Sequence, residues 1–262
     1  MRGTLLLATL LIVAQVSGAI AQLTGTPAAD PRQLNFQLFE AAKKGRTKDV
    51  ALYLKHGASI KARDRFGNTA LLLAALSGRA KTVKLLLGAG SAINHRNLGG
   101  STALLRAAKS GKRRSVELLL AAGADVKALN DKRLSPLAAA AFNGDNETFR
   151  ILLKHRADTD VVDNSGKTAI VYAAAKGFVE IVRALLQSGI DVNQVYGNNL
   201  TALMWAAGHS NDVPPVDAVK TLELLLERGA NPNLKDNRGK TARVIAADMG
   251  HEAAVKVLEK AK

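Results

Sequence analysis

The sequence predicts an all-α protein built as a solenoid of helix-turn-helix units. Composition is the first reason, because hydrophobic residues make up 47% of the chain and aromatic residues only 4%. A core with so few rings must consist of Ala, Leu and Val, which suits closely packed helices better than a β-sandwich. The other two reasons are a recurring spacing of 33 residues and glycines that keep the same register. Both indicate internal repeats.

Hydroxyl side chains mark the period most clearly. Four successive intervals of 33 residues separate Thr69, Thr102, Ser135, Thr168 and Thr201. Two series of glycines repeat with them, one at Gly45, Gly78, Gly111, Gly144 and Gly177, the other at Gly57, Gly90, Gly123 and Gly189, with Arg156 as its one interruption. Repetition at this length is typical of arrays in which each unit buries its apolar face against its neighbours.

Each unit runs through a Thr-Ala-Leu turn, an Ala-Ala helix, a Gly turn and a Leu-Leu helix. The Thr hydroxyl caps backbone N–H groups, the alanines let neighbouring first helices approach closely, and the leucines supply the shared core. Glycine ends the second helix in a left-handed turn at no steric cost. This pattern resembles the ankyrin repeat, and the resemblance covers residues 34–262.

The resemblance implies about seven units, joined by β-turn or hairpin loops and closed by polar caps. Residues 34–62 lack the Thr-Ala-Leu turn and are expected to form the N-cap unit, and residues 235–262 the C-cap unit. The full units are expected at residues 63–95, 96–128, 129–161, 162–194 and 195–234. The last is seven residues longer than the period, and we expect its insertion at residues 208–215 to lie outside the repeating core.

One departure from the family pattern affects the start of the units. The family's usual Pro after Thr is present only at Pro136, and the His that customarily follows two places later is absent. The residues at that position are apolar, namely Leu72, Leu105, Ala138, Val171, Met204 and Val244. We therefore expect apolar packing to replace the hydrogen bonds that this His makes between adjacent turns.

Residues 1–21 have the features of a cleavable signal peptide. Arg2 gives a positive start, residues 5–13 form an almost unbroken apolar run, and Ala19-Ile20-Ala21 is a small-x-small cleavage site. A membrane anchor is the alternative, but the segment is shorter than the roughly 20 apolar residues that cross a bilayer. Residues 22–33 lack periodicity and are expected to form a flexible tether. The mature chain is therefore predicted to be periplasmic or secreted, monomeric and without a transmembrane span.

Residues suited to catalysis are few. The sequence has no cysteine, which excludes disulfides, a thiol nucleophile and Cys-ligated zinc. Gly99-Gly100 lacks the Lys-Ser/Thr that a phosphate-binding loop requires. The five histidines show no metal-ligand spacing and stand at His56, His95, His155, His209 and His251. Since an active site needs polar groups that converge in a pocket, we predict a protein that is not an enzyme and binds no cofactor or metal.

The family resemblance instead implies binding on the concave face of the array, which the turn tips and the outer side of each first helix form. Transferred to this chain, those positions are Arg65, Phe66, Leu76, Leu98, Arg106, Lys109, Leu134, Phe142, Tyr172, Lys176 and Trp205. Aromatic side chains flanked by Arg and Lys often form the centre of protein interfaces. The alternative is that some of them, Tyr172 and Trp205 especially, fill gaps between helices.

The distribution of charge predicts a second surface. The chain has a formal net charge of +15, and residues 32–114 contain 18 Lys or Arg but only three acidic residues. Many of these cations recur between the two helices of successive units, at Lys43, Lys44, Arg46, Lys48, Arg79, Lys81, Lys84, Lys112, Arg113 and Arg114. Stacking aligns these turns, so we expect a basic edge whose charges are not offset locally.

Together these features predict an exported adaptor that holds a protein partner on its concave face. The chain resembles the small exported, periplasmic ankyrin-repeat proteins of bacteria, which implies the support of an envelope enzyme. The alternative function is binding of an anionic surface, such as lipid, lipopolysaccharide or acidic glycan, at the basic edge; an acidic protein would fit the same charge. Nucleic acid is not expected, because the protein is exported and has no base-reading motif.

Overall fold

The computed structural model describes residues 30–208 and 212–261, which form fourteen α-helices in seven pairs. The predicted signal peptide, most of the predicted tether and His209 lie outside the described residues. The first helices of the pairs are α1 Pro31–Lys44, α3 Ala70–Leu76, α5 Ala103–Lys109, α7 Pro136–Asn143, α9 Ala169–Ala175, α11 Ala202–Ala207 and α13 Ala242–Asp248. The second helices are α2 Thr47–Lys55, α4 Ala80–Gly88, α6 Arg113–Ala121, α8 Asn146–Lys154, α10 Val179–Gln187, α12 Pro215–Glu227 and α14 Glu252–Lys260. The predicted all-α solenoid of about seven units is confirmed.

Hydroxyl side chains begin most of the first helices, as the sequence pattern predicts. Each of five such oxygens accepts a hydrogen bond from the backbone N–H three residues later, at 3.1–3.4 Å. These oxygens belong to Thr69, Thr102, Ser135, Thr201 and Thr241. The contact satisfies one of the N–H groups that the first turn of a helix leaves unpaired.

Helix α1 begins earlier than the predicted boundary between tether and N-cap unit. Asp30 accepts a hydrogen bond from the Arg32 N–H at 2.9 Å, and Pro31 occupies the first helical position. Pro is favoured there because it lacks the N–H that would be unpaired in any case. Residues 31–33 of the predicted tether therefore belong to the first helix.

A left-handed glycine forms the turn between the two helices of a unit, as at Gly144, where φ is 70°. The next unit covers this turn, because a Cβ on Gly144 would lie 2.6 Å from ring atoms of Phe178. Val213 covers Gly177 in the same way. Alanine at either turn would be strained in its backbone and would collide with the following unit. The glycines therefore serve contact between units as well as the turn within each unit.

Alanine and leucine form a continuous core between the two rows of helices. Ala74, Ala107 and Ala173 are fully buried where successive first helices pack together. The apolar side chains at the positions where the family has His are also buried. Five of them are at most 2% exposed, namely Leu72, Leu105, Ala138, Val171 and Met204. The expected apolar packing is confirmed at these five, whereas Val244 in the C-cap unit is half-buried. None of the helices in residues 30–208 and 212–261 combines the length and the apolar character needed to span a membrane.

Asp or Asn side chains hold the loops that precede most first helices. In each such loop one side-chain oxygen accepts the N–H groups two and four residues later, at 2.8–3.1 Å. The residues are Asp64, Asn97, Asn130, Asp163 and Asp236. Backbone bonds then join neighbouring loops, since the Leu98 N–H donates to the Phe66 carbonyl and the Asn164 N–H to the Lys132 carbonyl, both at 3.0 Å. The loop tips thus form a hydrogen-bonded row.

The loop of the unit at residues 195–234 departs from this scheme. Tyr196 stands where the other loops have Asp or Asn, so the side-chain acceptor is lost. The loop instead forms two short antiparallel strands, β1 Val195–Tyr196 and β2 Leu200–Thr201. Asn198 between them has a φ of 64°, a left-handed conformation that Asn tolerates better than most residues.

Part of the insertion in the same unit contributes one extra helical turn, and residues 209–211 of the insertion lie outside the described residues. Helix α12 has 13 residues, whereas the preceding second helix, α10, has 9. Pro215 begins α12, and Val213 just before it is 5% exposed. The expectation that residues 208–215 lie outside the core is wrong at Val213, because that side chain is buried over the turn of the preceding unit.

Candidate partner-binding face

The first helices and the loop tips form one face of the protein. Over most of the stack the first helices contact one another more extensively than the second helices do. The outer side of the first helices and the loop tips make up the face that was predicted to be concave, and we call it the concave face. The predicted binding residues in the loops are Arg65, Phe66, Leu98 and Leu134. Those on the first helices or directly after them are Leu76, Arg106, Lys109, Phe142, Tyr172, Lys176 and Trp205. The predicted residues therefore lie on the loops and first helices, as the prediction assumed. Their role in binding stays a prediction.

Three large apolar side chains of this set are open to solvent. The exposed fraction is 54% for Phe66, 76% for Leu98 and 48% for Phe142. The guanidinium carbon of Arg65 lies 4.7 Å from the centroid of the Phe66 ring, a cation–π contact at the loop tip. Exposed apolar groups bordered by cations are a common feature of protein-binding surfaces.

A groove of about 540 Å³ lies in the middle of this face. Phe142 and Tyr172 line it, with ring centroids 5.3 Å apart in an edge-to-face arrangement. Lys109 and Lys132 also line it, and the Tyr172 hydroxyl donates a hydrogen bond to the Asp163 carboxylate. The groove therefore combines an apolar wall with two cations and one largely buried carboxylate.

Asp163 and Tyr172 have shifted pKa values. Burial acts to raise the pKa of the Asp163 carboxyl, but hydrogen bonds from Tyr172, Ser165 and the Lys167 backbone outweigh burial and hold this pKa below its usual value. Burial and the hydrogen bond to Asp163 raise the pKa of the Tyr172 phenol. At neutral pH the pair is a carboxylate and a neutral phenol, which fixes the Tyr172 ring in place and does not activate it for chemistry.

Trp205 extends the aromatic row towards the C-terminus. The Lys167 ammonium lies 5.1 Å from the Trp205 ring centroid and 5.6 Å from that of Tyr172, so one cation bridges both rings. Both rings are half-buried and pack against the core, and in the described part of the chain the indole N–H has no hydrogen-bond partner. These observations support the gap-filling interpretation of Tyr172 and Trp205. Lys176 is engaged as well, through an ion pair with Asp212 at 3.0 Å.

A second groove, which we call the N-terminal groove, has a volume of about 700 Å³. Phe36, Phe39 and Phe66 contribute to its lining, and Phe36 is 59% exposed. Sequence reasoning missed Phe36 and Phe39, because the repeat pattern assigns their unit to a polar cap. The available signal was helical spacing: Phe36 falls between Leu34 and Leu38, the buried positions of α1, and so must face solvent.

Turns of successive units are in direct contact along the predicted basic edge. The Arg79 side chain lies over Gly45, and its Nε donates a hydrogen bond to the Lys43 carbonyl at 3.0 Å. Lys112 lies over Gly78 in the same manner. All ten predicted residues are exposed except Lys112, which is half-buried. The edge therefore runs without a gap across the first three units.

Acidic side chains neutralise part of this edge. Lys44, Arg46, Arg113 and Arg114 each form an ion pair with a carboxylate three or four residues away, at 2.8–3.8 Å. The expectation that the charges are not offset locally is wrong for these four, because that spacing brings an acid and a cation together on a helix surface. Within residues 30–208 and 212–261, no ion pair involves the other six cations, Lys43, Lys48, Arg79, Lys81, Lys84 and Lys112.

Two of the histidines join neighbouring units. His95 Nε2 lies 2.8 Å from the Gly67 carbonyl, and His251 Nδ1 lies 2.9 Å from the Ala207 carbonyl. Among the residues that the structure describes, His, Asp and Glu side chains form no group of three suited to a metal ion.

Comparison with known proteins identifies the family. The family model described as ankyrin repeats (3 copies) matches residues 38–130 and 123–196, and the model for a single ankyrin repeat matches residues 198–237. None of the curated proteins matches the chain. The crystal structure of the human ASB11 ankyrin repeat domain is similar, with 29% sequence identity, a TM-score of 0.72, and coverage of 84% of this chain and 96% of that one. Ankyrin repeats generally mediate protein–protein interaction, and proteins built from them are typically non-enzymatic binding modules. The chain belongs to the ankyrin-repeat family.

Proposed function

We propose that this protein is an adaptor that binds a protein partner on its concave face. One observation carries the proposal, namely that Phe66, Leu98 and Phe142 leave about half or more of their surface in water on that face. Hydration of large apolar groups is unfavourable, by about 25 cal/mol for each Å² exposed. A partner that covers these side chains removes that cost, so the row is suited to the centre of an interface.

We further propose that the partner lies outside the cytoplasm, where this monomeric, non-enzymatic protein supports an envelope enzyme. The N-terminal sequence favours export, with Arg2, an apolar run and Ala19-Ile20-Ala21 in the order of a cleavable signal. Because the sequence has no cysteine, an oxidising compartment could form no disulfide in the protein. An extended curved face can hold a large partner without taking part in its chemistry.

Joint replacement of Leu98 and Phe142 with Ala is expected to weaken partner binding by roughly 100-fold. Each truncation at an interface centre costs on the order of 1–2 kcal/mol, and every 1.4 kcal/mol is tenfold in affinity. The protein is immobilised, exposed to an extracytoplasmic fraction of its source cells, and the captured proteins are identified by mass spectrometry. The parent chain should itself be recovered in that fraction, beginning near Gln22.

The matched control for this experiment is Val216→Ala. Val216 is 56% exposed, like the two tested residues, but lies on α12 in the row of second helices. The Val216→Ala variant should capture the same partner as the parent protein does. If the Leu98 and Phe142 variant also captures that partner unchanged, the concave face is not the binding surface. Retention of the uncleaved chain in the cytoplasm would contradict the proposed export.

Binding of an anionic surface is the second candidate function, favoured by the six edge cations without an ion pair in the described part of the chain. Joint replacement of Lys48, Lys81 and Lys84 with Gln should weaken binding to vesicles of anionic lipid by at least about tenfold at low salt, since each cation near such a surface contributes about 1 kcal/mol. The difference should shrink at physiological salt, where the screening length is about 8 Å. The melting temperature should hardly change, because exposed charges contribute little to stability.

Three exposed lysines away from the edge supply the control for charge alone, by replacement of Lys154, Lys235 and Lys256 with Gln. This variant has the same net charge as the edge variant. If the two variants lose vesicle binding equally, net charge and not the edge is responsible. If neither loses binding at low salt, the edge has no role in surface attachment.

A further inference from the structure

Apolar side chains form part of the lining of the N-terminal groove. Its lining includes Phe36, Phe39, Phe66 and Leu73, and Phe36 and Phe66 are 59% and 54% exposed. The volume of about 700 Å³ lies within the range of pockets that enclose a small ligand. The groove is therefore large enough to receive an aromatic or large aliphatic side chain from another molecule.

Cations form another part of the lining. Arg32, Lys43, Arg63 and Arg65 all line the groove. Arg65 is engaged with the ring of Phe66 at 4.7 Å. The side chains of the other three form no ion pair with any residue that the structure describes. The groove thus has cationic positions that are open to an incoming anion.

The two carboxylates in the lining offset only part of this positive charge, since the lining has four cations and two acids. Glu40 pairs with Lys44 at 3.1 Å. Asp64 accepts two backbone N–H groups of its own loop at 2.8 Å and the Asn68 side-chain amide at 2.9 Å. Both acids are therefore occupied by their own helix or loop. The groove therefore combines apolar side chains with an excess of positive charge.

Resting on the proposed binding of a protein partner, we infer that the N-terminal groove binds an acidic segment of that partner, with an aromatic or large aliphatic side chain inserted among the rings. A wholly apolar segment would remove water from Arg32, Lys43 and Arg63 without replacing it. A wholly acidic segment would leave the rings in water. A segment with both properties meets both requirements. Its charge speeds association, and the inserted side chain slows dissociation.

Fluorescence anisotropy with labelled synthetic peptides tests this inference on the purified protein. The probe carries one Phe flanked on both sides by Glu, and its controls replace Phe with Ala or every Glu with Lys. We expect the probe to bind, the Ala control to bind roughly tenfold more weakly, and the Lys control not to bind. Added salt should weaken the binding of the probe to the protein. The affinity that remains at high salt should depend on the Phe side chain of the probe.

Two variants locate the binding site of the probe. Phe36→Ala removes an exposed ring, and Lys43→Gln with Arg63→Gln removes two unpaired cations. Each variant is expected to bind the probe with roughly tenfold lower affinity at low salt. Lys154→Gln with Lys235→Gln is the matched control, because both lysines are exposed and lie outside the groove. All five side chains are exposed, so circular dichroism melts should show that every variant is folded.

Equal binding of the probe by all variants would overturn the inference, as would an Ala control that binds as tightly as the probe. Preference of the groove for anionic vesicles or RNA over the peptide would overturn it too. If the probe does not bind but the Leu98 and Phe142 variant loses partner capture, the inference fails and the proposed function stands. Binding of the probe that is weakened by both groove variants and not by the lysine control would support it.

Discussion

Leu119→Ala is expected to lower the free energy of unfolding by about 2–5 kcal/mol. Leu119 is fully buried in α6, in the middle of the stack. Its truncation removes apolar contacts and leaves a cavity that the flanking helices can fill only in part. Because each unit of a solenoid is stable mainly through its neighbours, the units on both sides should also lose protection. Chemical denaturation followed by circular dichroism measures the loss, and amide hydrogen exchange shows how far it extends.

Leu98→Ala is the matched control for this experiment. It removes the same atoms from a side chain that is 76% exposed at a loop tip. It should change stability by less than about 0.5 kcal/mol, as most surface substitutions do. A similar loss of stability in both variants would mean that the buried face of α6 is not the one described above.

Asp163→Ala is expected to cost about 2–3 kcal/mol of stability. The Asp163 carboxylate accepts hydrogen bonds from the Ser165 and Lys167 backbones and from the hydroxyls of Ser165 and Tyr172. Alanine leaves these donors without an acceptor in a largely buried place, which is more costly than the net value of a typical hydrogen bond. Denaturation curves measure the loss, and increased mobility of the Tyr172 ring should accompany it.

Asp163→Asn separates the hydrogen bonds from the charge. The amide oxygen still accepts the loop N–H groups, so this variant should keep most of the stability. The parent should differ from it in acid: the folded-state pKa of Asp163 lies below its usual value, so the stabilisation is complete above about pH 4 and disappears as the pH falls through the folded pKa. If the stability of the parent and that of Asp163→Asn decline together below pH 4, the carboxylate charge is not what the loop requires.

Most of the fold could be predicted because one residue type has one physical role at each place in the period. The hydroxyls cap first helices and the glycines form left-handed turns. Arg156 interrupts the second glycine series, yet it adopts the same left-handed conformation with φ of 61°. The turn there keeps the hydrogen bonds of its own unit, from the Arg156 N–H to the Leu153 carbonyl at 2.8 Å and from the Ala157 N–H to the Leu152 carbonyl at 3.1 Å. The left-handed backbone costs roughly 1–2 kcal/mol. Val213 lay beyond prediction, since an insertion carries no register from which its burial can be derived.

The candidate site could be predicted less completely, because position in a repeat does not determine exposure. Ala139 and Tyr172 occupy the same position in the period, yet Ala139 is fully buried and Tyr172 is half-buried, with a buried acceptor for its hydroxyl. The ion pairs along the basic edge could have been predicted from the sequence, because the acid and the cation of each pair are three or four residues apart. The exposure of Phe36 could also have been predicted, from its position in the helix relative to the buried Leu34 and Leu38.

The following unit covers several of the turn glycines, and this has a consequence for how the sequence can change in evolution. A glycine offers only backbone to its neighbour, and the side chains above it are Arg79 over Gly45, Lys112 over Gly78, Phe178 over Gly144 and Val213 over Gly177. Long cations, an aromatic ring and a branched aliphatic group can therefore all pack on the turn of the preceding unit. None of them requires a substitution of the glycine in that turn. A lineage can exchange these residues one unit at a time, so the charge of the edge can be gained or lost by single substitutions while the architecture persists.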